Sequence, residues 1–281
     1  MDITKYLDTW AAAYRNDLIE NIMPFWMKFG LDRKHGGIYT CLDRDGKLMD
    51  STKSVWFQGR FGFIASYAYN HIEKKQEWLA ASKSCIDFIE THCTDIDGHL
   101  FFEVTEEGIP LRKRRYVFSE CFAAIAMSEY AIASGDKSYA TKALEIFKRT
   151  LKFLSTPGFL EPKYLPTLQS RGHSITMILI NTASRIREVI EDPVLDRQIN
   201  ESLTSIRQYF MHPEFKALLE MVGPKGELID TCNGRTINPG HCIETSWFIM
   251  EEARHRNWDK DLVQLALQIL DWSWGWGWDK E

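Results

Sequence analysis

The chain has 281 residues, 44% hydrophobic and 26% charged, enough to bury a large core as one domain or two. A net charge of −5 and a sequence pI near 5.9 exclude nucleic acid as the main partner, because phosphate binding needs a basic face. No apolar run approaches the roughly 18 residues that a membrane span needs.

The one basic run, Arg112-Lys113-Arg114-Arg115, reads as solvated surface. Six cysteines contain no CxxC pair, and no signal peptide precedes the first predicted helix. The expectation is a reduced, cytoplasmic protein rather than a disulfide framework. Ten tryptophans suit a chain that stacks sugar rings, and they suit a large helical core equally well.

Apolar residues recur at helical spacing, which predicts helices over 3–22, 54–72, 77–92, 117–134, 138–154, 172–190, 194–211, 241–256 and 259–272. In the first long connection, Asp32-Arg33-Lys34-His35-Gly36-Gly37-Ile38-Tyr39 leads to Asp43-Arg44-Asp45-Gly46. This reads as a small β-hairpin turning at Asp45-Gly46. The second, Asp95-Ile96-Asp97-Gly98-His99-Leu100 followed by Glu106-Glu107-Gly108, repeats the pattern. The last residues, Trp276 to Glu281, resemble the opening of a further copy.

Short turns near 73–76, 134–137, 191–194 and 256–259 alternate with long connections at about 23–53, 93–116, 155–171 and 212–240. Both recur about every 60 residues, the mark of an array of helical hairpins. The expected fold is all-α, an (α/α)6 toroid of hairpins with small β-hairpins in its long loops, and residues 1–281 form one catalytic domain. A closed ring at this period needs roughly 360 residues or more. The expectation is therefore a truncated form that lacks the C-terminal hairpins.

In successive repeats, polar or ionisable residues stand near the start of the helix that follows a long loop. Arg60 follows Val55-Trp56-Phe57-Gln58-Gly59, Glu120 follows Phe118-Ser119, and His173 follows Arg171-Gly172. His241 and Glu244 follow Asn238-Pro239-Gly240 and, three apart, share one face of a first helical turn. On a toroid these positions would face one cavity. Helix N-termini carry positive partial charge, which would keep a histidine neutral at pH 7 and stabilise a developing oxyanion. The chemistry expected is proton transfer beside a polarised carbonyl, with His241 as acid or base, Glu244 orienting it and Arg60 anchoring an oxygen.

Bland readings stand beside these. Arg60 also suits an inter-helix salt bridge, Glu120 a structural acceptor, His173 a hydrogen-bonded core histidine, and His241 with Glu244 a structural network. Metal ligation with Cys242 is not expected, because the adjacent cysteine points elsewhere on the helix. Trp272, Trp274, Trp276 and Trp278 read as part core and part cavity rim. His35, His71, His92, His99, His212 and His255 read as surface.

Three segments carry a resemblance to a known family: Trp56-Phe57-Gln58-Gly59-Arg60, Val117 to Met127, and Gly234-Arg235 through Asn238-Pro239-Gly240-His241-Cys242-Ile243-Glu244. They resemble the N-acylglucosamine 2-epimerase family, in its renin-binding-protein-like branch. The resemblance implies an (α/α)6 toroid and interconversion of N-acetylglucosamine and N-acetylmannosamine by proton transfer at C2 of the open-chain sugar. Arg60 matches the family's substrate-binding arginine, His241 one of its two catalytic histidines, and Glu244 the glutamate one turn on. His173 matches a histidine of the aldose–ketose isomerase branch. Trp56 and Glu120 join the expected substrate contacts.

The family's second catalytic histidine lies in hairpins beyond residue 281, so a protein made strictly of residues 1–281 is expected to be inactive or nearly so. The resemblance also implies a homodimer; the chemistry requires no cofactor, and no metal is expected. ATP enters as a possible non-consumed activator, for which the glycine-bearing loop 223–240 is the candidate host although it has no Walker pattern. The alternatives are an aldose–ketose isomerase on the same fold, an (α/α)6 glycoside hydrolase using Glu120 with Glu244, and a non-catalytic carbohydrate-binding protein.

Overall fold

The structure is a computed structural model that describes residues 2–113 and 116–279. Arg114 and Arg115 of the basic run lie outside the described residues, as do Lys280 and Glu281 of the terminal copy. The chain divides into two compact units, Met1–Thr150 and Leu151–Glu281.

In the first unit, α1 (Ile3–Asp17) starts at Asp2, whose carboxylate accepts from the Thr4 amide at 3.0 Å, an ordinary N-cap. The helical run does not stop near residue 22, where the sequence suggested an end ahead of Pro24. It continues through wide π-type turns at Leu18–Ile22 and Trp26–Gly30 that flank Met23–Phe25. Pro24 falls in the first turn of that short middle piece, where its missing N–H interrupts little.

Two hairpins follow. In the first, α2 (Val55–His71) is joined to α3 (Gln76–His92) by a short turn; in the second, α4 (Phe118–Ser134) is joined to α5 (Ser138–Ser155). Gly135 closes α4 with φ 75°, a left-handed cap that a side chain would strain. Helices α2 and α4 pack over Gly59 and Gly62, beside a core that includes Trp78, Cys85, Ile86, Ile89 and Met127.

The long connections hold short antiparallel strands. Strands β1 (Cys41–Leu42) and β2 (Leu48–Asp50) pair across a turn closed by the Gly46 amide donating to the Asp43 carbonyl at 2.9 Å. Strands β3 (Lys53–Ser54), β4 (Glu103–Val104) and β5 (Pro110–Arg112) form one sheet in that order. Both repeated segments close narrow loops, through the bridges Leu31–Ile38 and Thr94–Leu100. The sequence repeat is thus a repeat of structure.

In the second unit, α6 (His173–Arg187) and α7 (Pro193–Ser205) form a hairpin whose turn is fixed by Asp192, capping the Val194 amide, and by Pro193 at the first helical position. A π-type turn, Ile206–Phe210, prolongs α7. Helices α8 (Pro239–His255) and α9 (Lys260–Gly277) form the next hairpin. Strand β6 (Arg171–Gly172) pairs with β9 (Met221–Val222), and β7 (Met211–His212) with β8 (Ala217–Leu218). A strand thus runs directly into α2 and into α6, fixing where each of these helices begins. Helix α9 runs past the expected 272, carrying Trp274 and Trp276 on exposed positions while Trp272 is buried. Among the described residues, no helix is long and apolar enough to cross a membrane.

Candidate functional site

The expected site residues all stand in the first two turns of helices that follow long loops: Trp56 and Arg60 in α2, Glu120 in α4, His173 at the first position of α6, and His241 and Glu244 in α8.

In the second unit a polar cluster is assembled from three segments. The β6–β9 pairing brings the start of α6 beside residue 220, and the His173 amide donates to the Glu220 carbonyl at 3.0 Å. The Glu220 amide donates to the Thr236 carbonyl at 3.2 Å, tying this segment to the loop ahead of α8. Asn238 caps α8 by accepting from the His241 amide at 3.2 Å, and Pro239 occupies the first turn. With the backbone so placed, His241 Nδ1 lies 2.9 Å from Glu220 Oε2. On the other side of the same oxygen, His173 Nδ1 lies at 3.7 Å. His173 Nε2 lies 3.0 Å from Thr245 Oγ1, and that hydroxyl is 2.8 Å from the His241 carbonyl oxygen. The chain of contacts closes on itself: His241, Glu220, His173, Thr245, His241.

The charges follow from this geometry. Burial alone would raise the Glu220 carboxyl, but its contacts with the two imidazoles prevail and bring it down to about 2. The hydrogen bond to Glu220 raises His241 above its ordinary 6.5 against burial, and the charges of Glu220 and Glu244 add to it. The sequence suggested that the helix N-terminus would hold His241 neutral. A carboxylate in hydrogen-bond contact outweighs that partial charge, and the structure favours the charged ring.

Two roles are corrected here. Glu244, expected to orient His241, is exposed, and the carboxylate bonded to the ring is Glu220. His173, expected at the substrate, has no exposed surface and reaches the cluster through Glu220 and Thr245. Cys242 points away as expected: its thiol donates to the Leu218 carbonyl, and burial pushes it up to about 11. The His241 side chain keeps 36% of its surface open; with Nδ1 committed to Glu220, Nε2 is the nitrogen available for proton exchange.

Glu220 escaped sequence reasoning because nothing near it in the chain repeats. One signal was there to find: a single carboxylate inside the apolar run Ala217-Leu218-Leu219-Glu220-Met221-Val222. A charge in so buried a segment requires a partner.

In the first unit, the Trp56 ring packs among Phe102, Phe118 and Phe122, at centroid distances of 5.1, 5.1 and 6.1 Å. Arg60 is exposed, and its guanidinium lies over the Phe122 ring at 4.3 Å and the Phe57 ring at 5.6 Å. This is a planar cation held against aromatic faces on an exposed residue. Glu120 does not join them. It is wholly buried, its Oε1 accepts from the Leu100 amide at 2.6 Å, and the same oxygen meets His99 Nδ1. The expected sugar contact is therefore a structural acceptor that locks the second long loop onto α4. His99 and His212, read from sequence as surface, are both buried.

The loop 223–240 is partly closed by its own hydrogen bonds. Its Gly223–Gly226 turn is closed on itself by the Gly226 amide donating to the Gly223 carbonyl at 3.0 Å. The Lys225 amide already donates to the Glu227 carboxylate at 2.7 Å.

Known proteins resemble this chain in sequence and in fold. Residues 37–281 match the family model described as N-acylglucosamine 2-epimerase. The N-acylglucosamine 2-epimerase of Rattus norvegicus is 29% identical over 255 residues, which cover 88% of this chain and 60% of that protein. A cellobiose 2-epimerase of Ruminococcus albus is 31% identical over 272 residues, 89% of this chain and 67% of its own length. The solved cellobiose 2-epimerase of Bacillus thermoamylovorans superposes with a TM-score of 0.85 at 21% identity, over 97% of this chain and 74% of that one. That likeness shows the fold: an all-α array of helical hairpins of the (α/α)6 class. The chain spans about three fifths of the length of the N-acylglucosamine 2-epimerases it matches.

Proposed function

Since the chain belongs to the N-acylglucosamine 2-epimerase family, we propose that it serves a carbohydrate 2-epimerase that interconverts N-acetylglucosamine and N-acetylmannosamine. The observation that carries this reading is the His241–Glu220 pair at the start of α8, with one ring nitrogen fixed and the other open. In the open-chain sugar the C2 proton is acidic because C1 is a carbonyl. When neutral at Nε2, His241 takes the C2 proton and the electron pair left behind is delocalised onto O1 as an enediolate; when charged, as its bond to Glu220 favours, it returns a proton to C2 in the opposite direction. Inversion requires return of a proton on the opposite face, which is the task of a second acid–base group. Arg60, an exposed residue beside the Phe122 ring, is the candidate anchor for a sugar oxygen. Trp56 contributes by holding the Phe122 face on which Arg60 rests.

The aldose–ketose alternative drew on His173, and the hydrolase alternative on Glu120. Both side chains are buried, which leaves each alternative without the residue that suggested it. A homodimer in the cytoplasm belongs to the same reading, and sedimentation of the purified protein tests the assembly.

The chemistry is tested by proton NMR of N-acetylmannosamine in heavy water with the protein that carries this chain. Loss of the C2 proton signal together with appearance of N-acetylglucosamine is expected. A ketose product would establish the isomerase instead, and no exchange at C2 would overturn both. Running the assay with and without ATP tests the activator expectation.

A further inference from the structure

Every group that touches His241 Nδ1 or Glu220 Oε2 comes from a different element, and this determines how the ring is held. Glu220 lies between β8 and β9, where backbone pairing to β6 and to the loop before α8 fixes its position. Its Oε2 sits between the His241 ring from α8 and the His173 ring from α6. The titratable groups around it are these two rings and, from α8, Glu244 and the averted Cys242.

Thr245 has one hydroxyl proton and two neighbours. That proton goes to the His241 carbonyl, so the Thr245 oxygen accepts from His173 Nε2. His173 Nδ1 is buried with no hydrogen-bond partner among the described residues and lies 3.7 Å from Glu220 Oε2, an ion-pair rather than a hydrogen-bond distance.

We propose that Glu220 is the positioning residue for His241, and that His173 and Thr245 hold Glu220 in place from behind. Glu244 is free for another task on the exposed face of α8. This rests on the proposed function only for its kinetic consequence; the contacts and their titration stand without it.

The test is NMR titration of the His241 ring protons and nitrogens in the wild-type protein and in the variants Glu220→Gln, Glu220→Asp, Glu244→Gln and Thr245→Val, with unchanged far-UV circular dichroism as the check on folding. Glu220→Gln is expected to lower the His241 midpoint by about one pH unit or more and to remove the Nδ1–H tautomer preference. Glu220→Asp should restore part of both, and Glu244→Gln should leave the tautomer alone and move the midpoint less. Thr245→Val should change the His173 nitrogen shifts without abolishing the His241–Glu220 bond. If turnover is present, Glu220→Gln should reduce kcat by about 10- to 100-fold with little change in KM. A His241 midpoint and tautomer unmoved by Glu220→Gln, or moved equally by Glu244→Gln, would overturn the proposal. Absence of turnover in the protein that carries this chain, with the titration behaving as expected, would overturn the functional reading and leave this one standing.

Discussion

His241 Nδ1 meets Glu220 Oε2 at 2.9 Å across 21 residues of chain, while Glu244, one helical turn away from the histidine, stays exposed. A long-range contact has taken the place that local spacing offered to a neighbour. Because the pair is an ion pair, it has consequences for stability as well as for chemistry.

Stability should depend on pH with a definite sign. The Glu220 carboxyl is depressed to about 2 from 4.5, so its contribution is present above 4.5 and is lost as pH falls toward 2. His241 is raised above 6.5, so its contribution is present below 6.5 and is lost as pH rises through the raised value. The bond is therefore worth most between about pH 4.5 and 6.5. Urea unfolding of wild type and Glu220→Gln should differ by about 1–2 kcal/mol in that window, after allowance for the partly open histidine. The difference should shrink on both sides. A difference constant from pH 3 to 9 would show that Glu220 acts through packing alone.

Glu120 should behave as a structural residue. It accepts from the Leu100 amide and meets His99 with no surface of its own exposed. Glu120→Ala strands two buried donors and is expected to cost about 3 kcal/mol. Thermal denaturation reads that loss directly. If catalysis is observed, the residual folded enzyme should keep its KM. A raised KM with unchanged stability would return Glu120 to the substrate.

Much of the fold could be read from periodicity, because a helical hairpin is a local object whose apolar stripe and turn residues lie within one repeat. Asn238-Pro239, Asp192-Pro193 and Gly135 act at helix ends through their own backbone preferences, and each appears where those preferences place it. The candidate site was legible only in half. His241 could be found from its loop, but Glu220 is brought to it by the two-residue strands β6 and β9, too short to leave a periodic signal. His173 and Glu120 were located correctly in sequence and given the wrong exposure, since a helix start shows which turn a side chain occupies and not what covers it.

Lys53 is a buried cation without which the first unit should lose cohesion. Its ammonium donates to Asp32 Oδ2 at 2.7 Å, the Gly36 carbonyl at 2.8 Å and the Glu106 carbonyl at 2.7 Å, using all three protons and joining two long loops. Asp32, His35 and Glu106 bring donor atoms within 4.8 Å of one another, a spacing that suits a metal, but the Lys53 charge already neutralises Asp32. Burial would raise the Asp32 carboxyl, and the bond from Lys53 helps bring it down to about 2. Lys53→Met should cost about 3 kcal/mol, because it takes the ammonium from a buried carboxylate and strips the Gly36 and Glu106 carbonyls of their Lys53 donor. The double variant with Asp32→Asn should recover part of that. Equal losses in the single and double variants would show that the carbonyl contacts, not the ion pair, carry the effect.

Two glycines on one helix face provide a sharper packing test. A Cβ on Gly59 would stand 2.6 Å from the Phe122 carbonyl carbon and 2.7 Å from its oxygen, backbone atoms that cannot move without shifting α4. A Cβ on Gly62, one turn on, would meet the Ala126 methyl at 3.3 Å, which a few tenths of an ångström relieves. Alanine favours the helix interior over glycine by about 1 kcal/mol at either position. Gly62→Ala should therefore be close to neutral or mildly stabilising. Gly59→Ala should lose about 1–3 kcal/mol, because overpacking against backbone exceeds the propensity gain. It should also disturb Arg60, which sits next in sequence and rests on the Phe122 ring at 4.3 Å. Urea midpoints of the two variants decide the matter: equal shifts would mean that α2 and α4 do not approach at Gly59 as closely as the structure requires.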